Sequence, residues 1–356
     1  MPYKADPRLA EHFLAQGLEM AEQVDAQLQQ VAPTSPNLAL YRDMLLTVLR
    51  MAQDDHNRWN AKITLQTLRE LDHAFRTLER FRPRRKVTVF GSARTVPDHA
   101  LYLQARELGS ALAAADLMVI TGAGGGIMAA AHEGAGPAHS LGFNIALPFE
   151  QHANATLAGS EQLLPFHFFF IRKLFFVKEA DALVLCPGGF GTLDEALEVL
   201  TLVQTGKSPL VPILLLDEPG GTYWEGLEAF IRNELEAKRY ILPTDLRLIR
   251  RVTDPQSAVE EIERFYANYH SSRWLNRLFI LRLRHGLNAV ALAGLGEHFG
   301  DLLTSGTFEQ HDLANSPTPD EPELSHLVRL SFHFTGRAYG RLRELVDFVN
   351  HPEHWA

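Results

Sequence analysis

The sequence predicts an α/β fold: a doubly wound parallel sheet with a helical extension before it and a small α+β domain after it. Three observations carry this. Between residues 84 and 268 short apolar runs alternate with amphipathic stretches of helical period, the pattern of a parallel sheet covered by helices on both faces. Residues 1–83 show helical periodicity without a strand pattern. Residues 269–356 turn to a different mixture, a few strands and two helices. Domains are therefore expected at 1–83, 84–268 and 269–356.

In the first part, helices are expected from Pro7, across 38–51 and across 58–81. Proline suits a first helical turn, and Ser35 before Pro36 is the start signal for the second helix. The apolar stripes of these helices suit packing on another domain or subunit, so the region reads as an accessory layer. Arg82, Arg84, Arg85 and Lys86 form the densest basic cluster and read as a solvated approach to the first strand. Strands are then expected at 87–90, 117–120, 143–147, 182–186 and 211–216, with helices at 100–115, 126–135, 192–205 and 224–236. The last part reads as strands at 279–284, 306–313 and 327–334 and helices at 286–303 and 336–350. That is a small sheet with helices on one face, of the ferredoxin or ACT-like kind. A loop rich in Pro, Asp and Glu at 315–322 separates two of its strands. His285, His298, His311, His326 and His333 lack a zinc spacing and read as surface or structural positions.

The chain is organised around DALVLCPGGFGTLDEALEVLTLVQT at 181–205. An apolar strand ending at Cys186 is broken by Pro187, Gly188, Gly189 and Gly191. From Thr192 the apolar residues Leu193, Ala196, Leu197, Leu200 and Val203 take helical spacing. A glycine turn from strand to helix leaves the first helical N–H groups unpaired and open to close approach, which suits a phosphate. A purely local reading is also open: Thr192 caps the helix and Glu195 reaches back to complete a capping box.

Two further glycine turns follow strands, Gly91-Ser92-Ala93-Arg94 and Thr121-Gly122-Ala123-Gly124-Gly125-Gly126, and all three would meet at one edge of the sheet. The second turn has Ile127 where a dinucleotide fingerprint needs its third glycine, and no Lys-Ser or Lys-Thr follows as in a P-loop. NAD and ATP are accordingly not expected. PFHFFFIRKLFFVK at 165–178 sets Arg172 and Lys173 in an aromatic stretch just before the central strand. An arginine fork beside an anion-binding turn can hold a phosphate or carboxylate in one orientation, whereas Lys178 has the look of a snorkelling surface lysine.

Composition bounds the function. With 46% hydrophobic and 22% charged residues the chain is an ordinary globular one, and a formal net charge of -9 argues against a nucleic-acid partner. The single cysteine, Cys186, lies in an apolar strand and cannot form an internal disulfide. The N-terminus lacks the apolar core of a signal peptide, and no run reaches the roughly 18 apolar residues of a membrane span. A cytoplasmic setting and no membrane partner are expected, and neither a metal nor a cofactor.

These motifs resemble the LOG ("lonely guy") nucleotide phosphoribohydrolases, once mislabelled lysine decarboxylases. PGGFGTLDE at 187–195 is similar to the family's PGGxGTxxE signature and FIRK at 170–173 to its upstream arginine segment. GSAR at 91–94, TGAGGGIMAAAHEGA at 121–135, FNIALPFEQHAN at 143–154 and LTLVQTGK at 200–207 add to the match. The resemblance covers about residues 84–240 and looks closer to the long bacterial members than to the short plant ones. It implies a Rossmann-like domain that hydrolyses nucleoside 5′-monophosphates, of purine or cytokinin type, to free base and ribose 5-phosphate. Its catalytic pair maps onto Arg172 and Glu195, and its phosphate turn onto Gly188, Gly189, Gly191 and Thr192. Further nucleotide contacts map onto Gly91, Ser92, Arg94, Gly124, Gly125, Gly126, Met128 and Lys173. Departures from the family pattern at Ala129, His132 and Glu133 bear on base preference. The resemblance also implies a homodimer or higher homo-oligomer.

Adjacent helix positions point about 100° apart, so Asp194 cannot flank one bond together with Glu195. Two other readings stand beside hydrolysis. A nucleotide-binding carrier or regulator would keep the phosphate site without turnover. A pyridoxal-phosphate decarboxylase would need a Schiff-base lysine at the glycine turn, and none is there. The last domain, without a glycine turn or catalytic cluster, is expected to serve regulation or assembly.

Overall fold

A computed structural model describes residues 5–15, 19–55, 57–146, 153–311 and 322–356. Its compact units are Met1–Arg69 and Glu70–Ala356. The first contains α1 (Pro7–Leu14), α2 (Met20–Val31), α3 (Leu38–Gln53) and the start of α4 (Arg58–Glu79). Asp6 caps α1 by accepting the Arg8 N–H, and Pro7 takes the first helical position. Leu9, Phe13, Ala21, Val24 and Leu46 form its small core. Contrary to expectation, Ser35 does not start α3. Its Oγ accepts the Asn37 N–H in the preceding turn, and α3 begins at Leu38 without a side-chain cap.

The second unit begins with the last turns of α4 and continues through β1 (Lys86–Phe90), α5 (Ala100–Ala114), β2 (Met118–Thr121), α6 (Ile127–Ala135), β3 (Ser140–Ile145) and β4 (Leu163–Phe166). There follow α7 (Phe169–Glu179), β5 (Ala182–Leu185), α8 (Phe190–Gln204), β6 (Ile213–Leu216), α9 (Tyr223–Phe230), β7 (Ile249–Val252) and α10 (Pro255–Phe265). The seven strands form one parallel sheet in the order β4-β3-β2-β1-β5-β6-β7. Strands β1, β2, β5 and β6 are buried along their whole length, which is why they read as unbroken apolar runs. The strands β4 and β7 were not expected. Leu163–Phe166 is masked in the sequence by the aromatic run that continues into α7, and Ile249–Val252 carries two arginines on a half-exposed edge. Of the expected strand at 143–147 and the motif at 143–154, residues 147–152 lie outside those described.

Of the basic cluster only Arg82 stays solvated; the cations nearest the sheet do not. Lys86 is buried and pairs with Glu179 at 3.3 Å, and Arg85 pairs with Asp181 at 3.0 Å and lies 3.5 Å over the Tyr266 ring. These cations tie the start of β1 to the segment that leads into β5.

The C-terminal part adds β8 (Tyr269–Leu275), β9 (Leu278–Leu283), α11 (Ala289–Phe299), β10 (Leu303–His311), β11 (Val328–Phe334) and α12 (Tyr339–Val349). Its sheet is antiparallel in the order β10-β11-β9-β8. Here β9-α11-β10 is a split β-α-β unit with β11 inserted between its strands. The position beside β9 is filled by β8 through a hairpin from before β9, and no strand follows α12. The sequence reading had no β8, whose polar and half-buried residues lack clean alternation. The Pro-, Asp- and Glu-rich loop lies outside the described residues up to position 321.

Candidate active site

The strand order steps outward from β1 to β4, then returns to place β5 on the other side of β1. The crevice for a ligand therefore opens beyond the carboxyl ends of β1 and β5. A cavity of about 820 Å³ lies there, within the range of small-molecule sites. Gly91, Ser92 and Arg94 line it from the turn after β1, Gly122 and Met128 from the turn after β2 and the start of α6, and Arg172 from α7. Gly188, Gly189, Gly191, Thr192 and Glu195 line it from the turn after β5 and the start of α8. The three glycine turns thus meet at one place.

Gly124, Gly125, Gly126 and Lys173 are not on the cavity wall. The first three form the turn behind it. Gly126 adopts φ 63°, and a Cβ there would stand 2.2 Å from the Ser92 carbonyl oxygen, so only glycine lets the two turns lie against each other. The Ile127 N–H donates to that same oxygen at 3.0 Å. Lys173 is held by Asp194 and Glu198, each at 2.7 Å.

The turn after β5 is not a capping box. The helix starts at Phe190 with Gly189 as its cap residue and no side-chain capping bond, so Thr192 is already its third residue. The first N–H groups of α8 therefore have neither helical acceptors nor a cap. Gly188 is confined as well: a Cβ on it would meet the Thr192 Oγ1 at 2.2 Å. The positive end of the α8 dipole faces the crevice.

Glu195 lies one turn further in, 3% exposed, and its Oε2 has no hydrogen-bond partner among the described residues. Burial pushes its carboxyl up to about 7, against the pull of Lys173 and Arg172. Arg172 packs its guanidinium over Phe169 at 5.0 Å and Phe176 at 5.4 Å, and its Nε likewise has no partner. Burial lowers the Arg172 pKa, which the nearby Glu195 and Asp194 charges oppose. Two buried polar groups of opposite type without partners, facing one cavity, leave a donor and an acceptor for a ligand.

Several contributors escaped the sequence reading. Phe169 and Phe176 stand three residues before and four after Arg172, so helical spacing alone puts them on its face. His132 and Asn154 brace the second glycine turn. The Asn154 Nδ2 donates to His132 Nδ1 at 3.1 Å and the His132 Nε2–H donates to the Leu141 oxygen at 3.2 Å, which fixes the neutral tautomer. Burial holds the His132 pKa down at about 4. The Asn154 N–H also donates to the oxygen of Ala123, a residue at φ 56°. Glu133 accepts the Tyr102 hydroxyl at 2.6 Å. None of Ala129, His132 and Glu133 lines the cavity, so these departures from the family pattern bear on how α6 is packed. Among the described residues no group of His, Cys, Asp and Glu is placed to hold a metal ion, and no helix is long and apolar enough to cross a membrane.

Comparison with known proteins accords with this geometry. Residues 125–262 match a family described as "Possible lysine decarboxylase". A probable cytokinin riboside 5′-monophosphate phosphoribohydrolase of rice, LOGL3, is 35% identical over 99 residues, 28% of this chain and 44% of the relative. Cytokinin riboside 5′-monophosphate phosphoribohydrolase LOG3 of Arabidopsis thaliana is 35% identical over 94 residues, 26% and 42% of the two chains. Over that segment the chain is similar to the LOG family. It spans less than half the length of these LOG relatives. Among solved structures, the molybdenum cofactor binding protein of Rippkaea orientalis aligns with 51% of this chain and 96% of its own at 20% identity and a TM-score of 0.37. The molybdenum cofactor carrier protein of Chlamydomonas reinhardtii aligns with 51% and 97% at 21% identity and a TM-score of 0.33. Likenesses this loose add nothing to the description of the site.

Proposed function

We propose that this chain hydrolyses the N-glycosidic bond of nucleoside 5′-monophosphates of purine or cytokinin type, releasing free base and ribose 5-phosphate. One juxtaposition carries the reading: uncapped helix-start N–H groups at Gly189, Phe190 and Gly191 share a cavity with a buried, unpartnered carboxylate one turn away. The phosphate takes the N–H groups and the helix dipole, with Thr192 and Arg94 beside it, and thereby sets the ribose toward Glu195. As the bond from C1′ to the base breaks, its electron pair leaves with the base and positive charge develops on the ribose. Ionised Glu195 stabilises that charge and accepts a proton from the attacking water, whose hydroxyl oxygen bonds to C1′. The departing base acquires a proton. Arg172, aligned by its two rings, orients the ribose or phosphate oxygens.

The experiment is base release from a panel of monophosphates and their nucleosides by the full-length protein. Adenosine monophosphate should be cleaved and adenosine ignored, because the phosphate site is what positions the ribose. Equal rates on the two, or monophosphate binding without release, would remove the proposal; the second outcome would identify a carrier.

A further inference from the structure

The loop after β6 reaches the phosphate turn from the side. Beyond Leu216, Asp217 folds back on its own turn: Oδ1 accepts the Glu218 N–H at 2.9 Å and Oδ2 accepts the Trp224 N–H at 3.3 Å. Trp224 is fully buried, and its Nε1–H donates to the Leu216 oxygen at 3.3 Å. The first turn of α9 is thereby pinned to the end of β6. Tyr223 stands edge-on to Trp224 with ring centroids 4.7 Å apart, and its hydroxyl donates to the Gly188 oxygen at 2.7 Å.

That oxygen belongs to the peptide joining Gly188 to Gly189. In a trans peptide C=O and N–H point in opposite directions, so a donor that holds the oxygen from the β6 side turns the Gly189 N–H away from it. The preceding carbonyl, of Pro187, is held from the β1 side by the Ser92 N–H at 3.1 Å. Gly188 and Gly189 offer no side chain to resist rotation of this peptide, and α8 has no side-chain cap to fix its first turn. The turn is therefore held by its neighbours on both sides.

We propose that Tyr223 is a positioning residue for phosphate affinity: its hydroxyl fixes the Gly188–Gly189 peptide so that the Gly189 N–H is presented to the anion. This rests on the phosphate reading above. The test compares Tyr223→Phe, which removes only the hydroxyl, with Tyr223→Ala, which also removes the ring. Each is assayed for steady-state base release and, independently of turnover, for inorganic phosphate binding by calorimetry. Tyr223→Phe should raise both the KM for monophosphate and the Kd for phosphate about five- to tenfold, with kcat within about twofold of wild type and Tm unchanged. Wild-type phosphate affinity in Tyr223→Phe with a loss only in Tyr223→Ala would make the residue a packing element and overturn the proposal. A fall in kcat at constant KM would overturn it too, placing the hydroxyl at the reacting ribose. Should wild type bind phosphate but release no base, the hydrolase reading fails while the calorimetric comparison still decides the role of Tyr223. Absence of phosphate binding in wild type would end both.

Discussion

On the proposed reading, Glu195 is the group that reacts and Lys173 the group that balances charge. Three carboxylates, Asp194, Glu195 and Glu198, lie within two turns of α8, and Lys173 satisfies the outer two while its field draws the inner one toward ionisation. With Glu195 titrating at about 7, kcat/KM should fall on the acid side of neutrality, since the reaction needs the carboxylate. Lys173→Met should move that limb to higher pH and Asp194→Asn to lower pH; a pH profile that ignores both changes would remove Lys173 from this role. Glu195→Gln should lower kcat by about a hundredfold or more and leave monophosphate binding near its wild-type value. Its effect on stability has a definite sign. The folded pKa lies above the ordinary 4.5, so protonation favours the fold, and that contribution is complete below about pH 4.5 and lost as pH rises through 7. At pH 8 the permanently neutral Glu195→Gln should therefore be the more stable protein, by up to about 3 kcal/mol in denaturant titration. At this scale the motifs made it legible that Arg172 and Glu195 share one cavity wall. The place of Lys173 was not legible, because a cation beside a phosphate turn reads as an anion ligand until the three-dimensional neighbours, Asp194 and Glu198, are known.

Elements built from long apolar runs were also legible, and those that depend on context were not. The strand into Cys186 and the helix after the glycines could be read directly, but the first residue of α8 could not. Thr192 and Glu195 have the spacing of a capping box, and only the backbone decides that Gly189 is the cap residue. Strand β8 was missed because its pairing with β9 leaves most of its residues half-buried, so no alternation is imposed on the sequence. The last helix is fastened by charge. Glu261 of α10, 1% exposed, receives Arg343 of α12 and Arg250 of β7, each at 2.7 Å, and Asp347 of α12 receives the same two arginines at 3.0 and 3.4 Å. Removing Arg343 takes away the one fully buried cation of this network and leaves Glu261 to the more exposed Arg250 and Arg264. Arg343→Met should cost about 3 kcal/mol or more in equilibrium unfolding, and a loss below 1 kcal/mol would show the network to be dispensable.

At the scale of the whole molecule, the parallel sheet and the helical and α+β flanks were legible because each changes the period of the apolar pattern. The strand order was not, since nothing local says that β5 returns beside β1. We propose that the protein is a homodimer. Phe169, Phe170 and Leu174 on α7 expose large apolar side chains beside the site; within the first unit, Tyr41, Met44, Leu45 and Val48 on α3 are likewise exposed. Light scattering should give a dimer mass at micromolar concentration, and a fully active monomer on dilution would contradict this. The return of β5 has a further consequence, in time. The Lys86 N–H and the Asp181 carboxylate that open the β1–β5 pairing are 95 residues apart in the chain, and the crevice between the glycine turns exists only where those two strands have closed. Loops of that length are slow to close, so contacts among β1, β2 and β3 can form while the segment carrying Gly188 and Glu195 is still unplaced. A newly made chain should thus acquire ligand affinity as one of its last folding events, and during refolding the recovery of phosphate binding should lag behind the recovery of helical ellipticity.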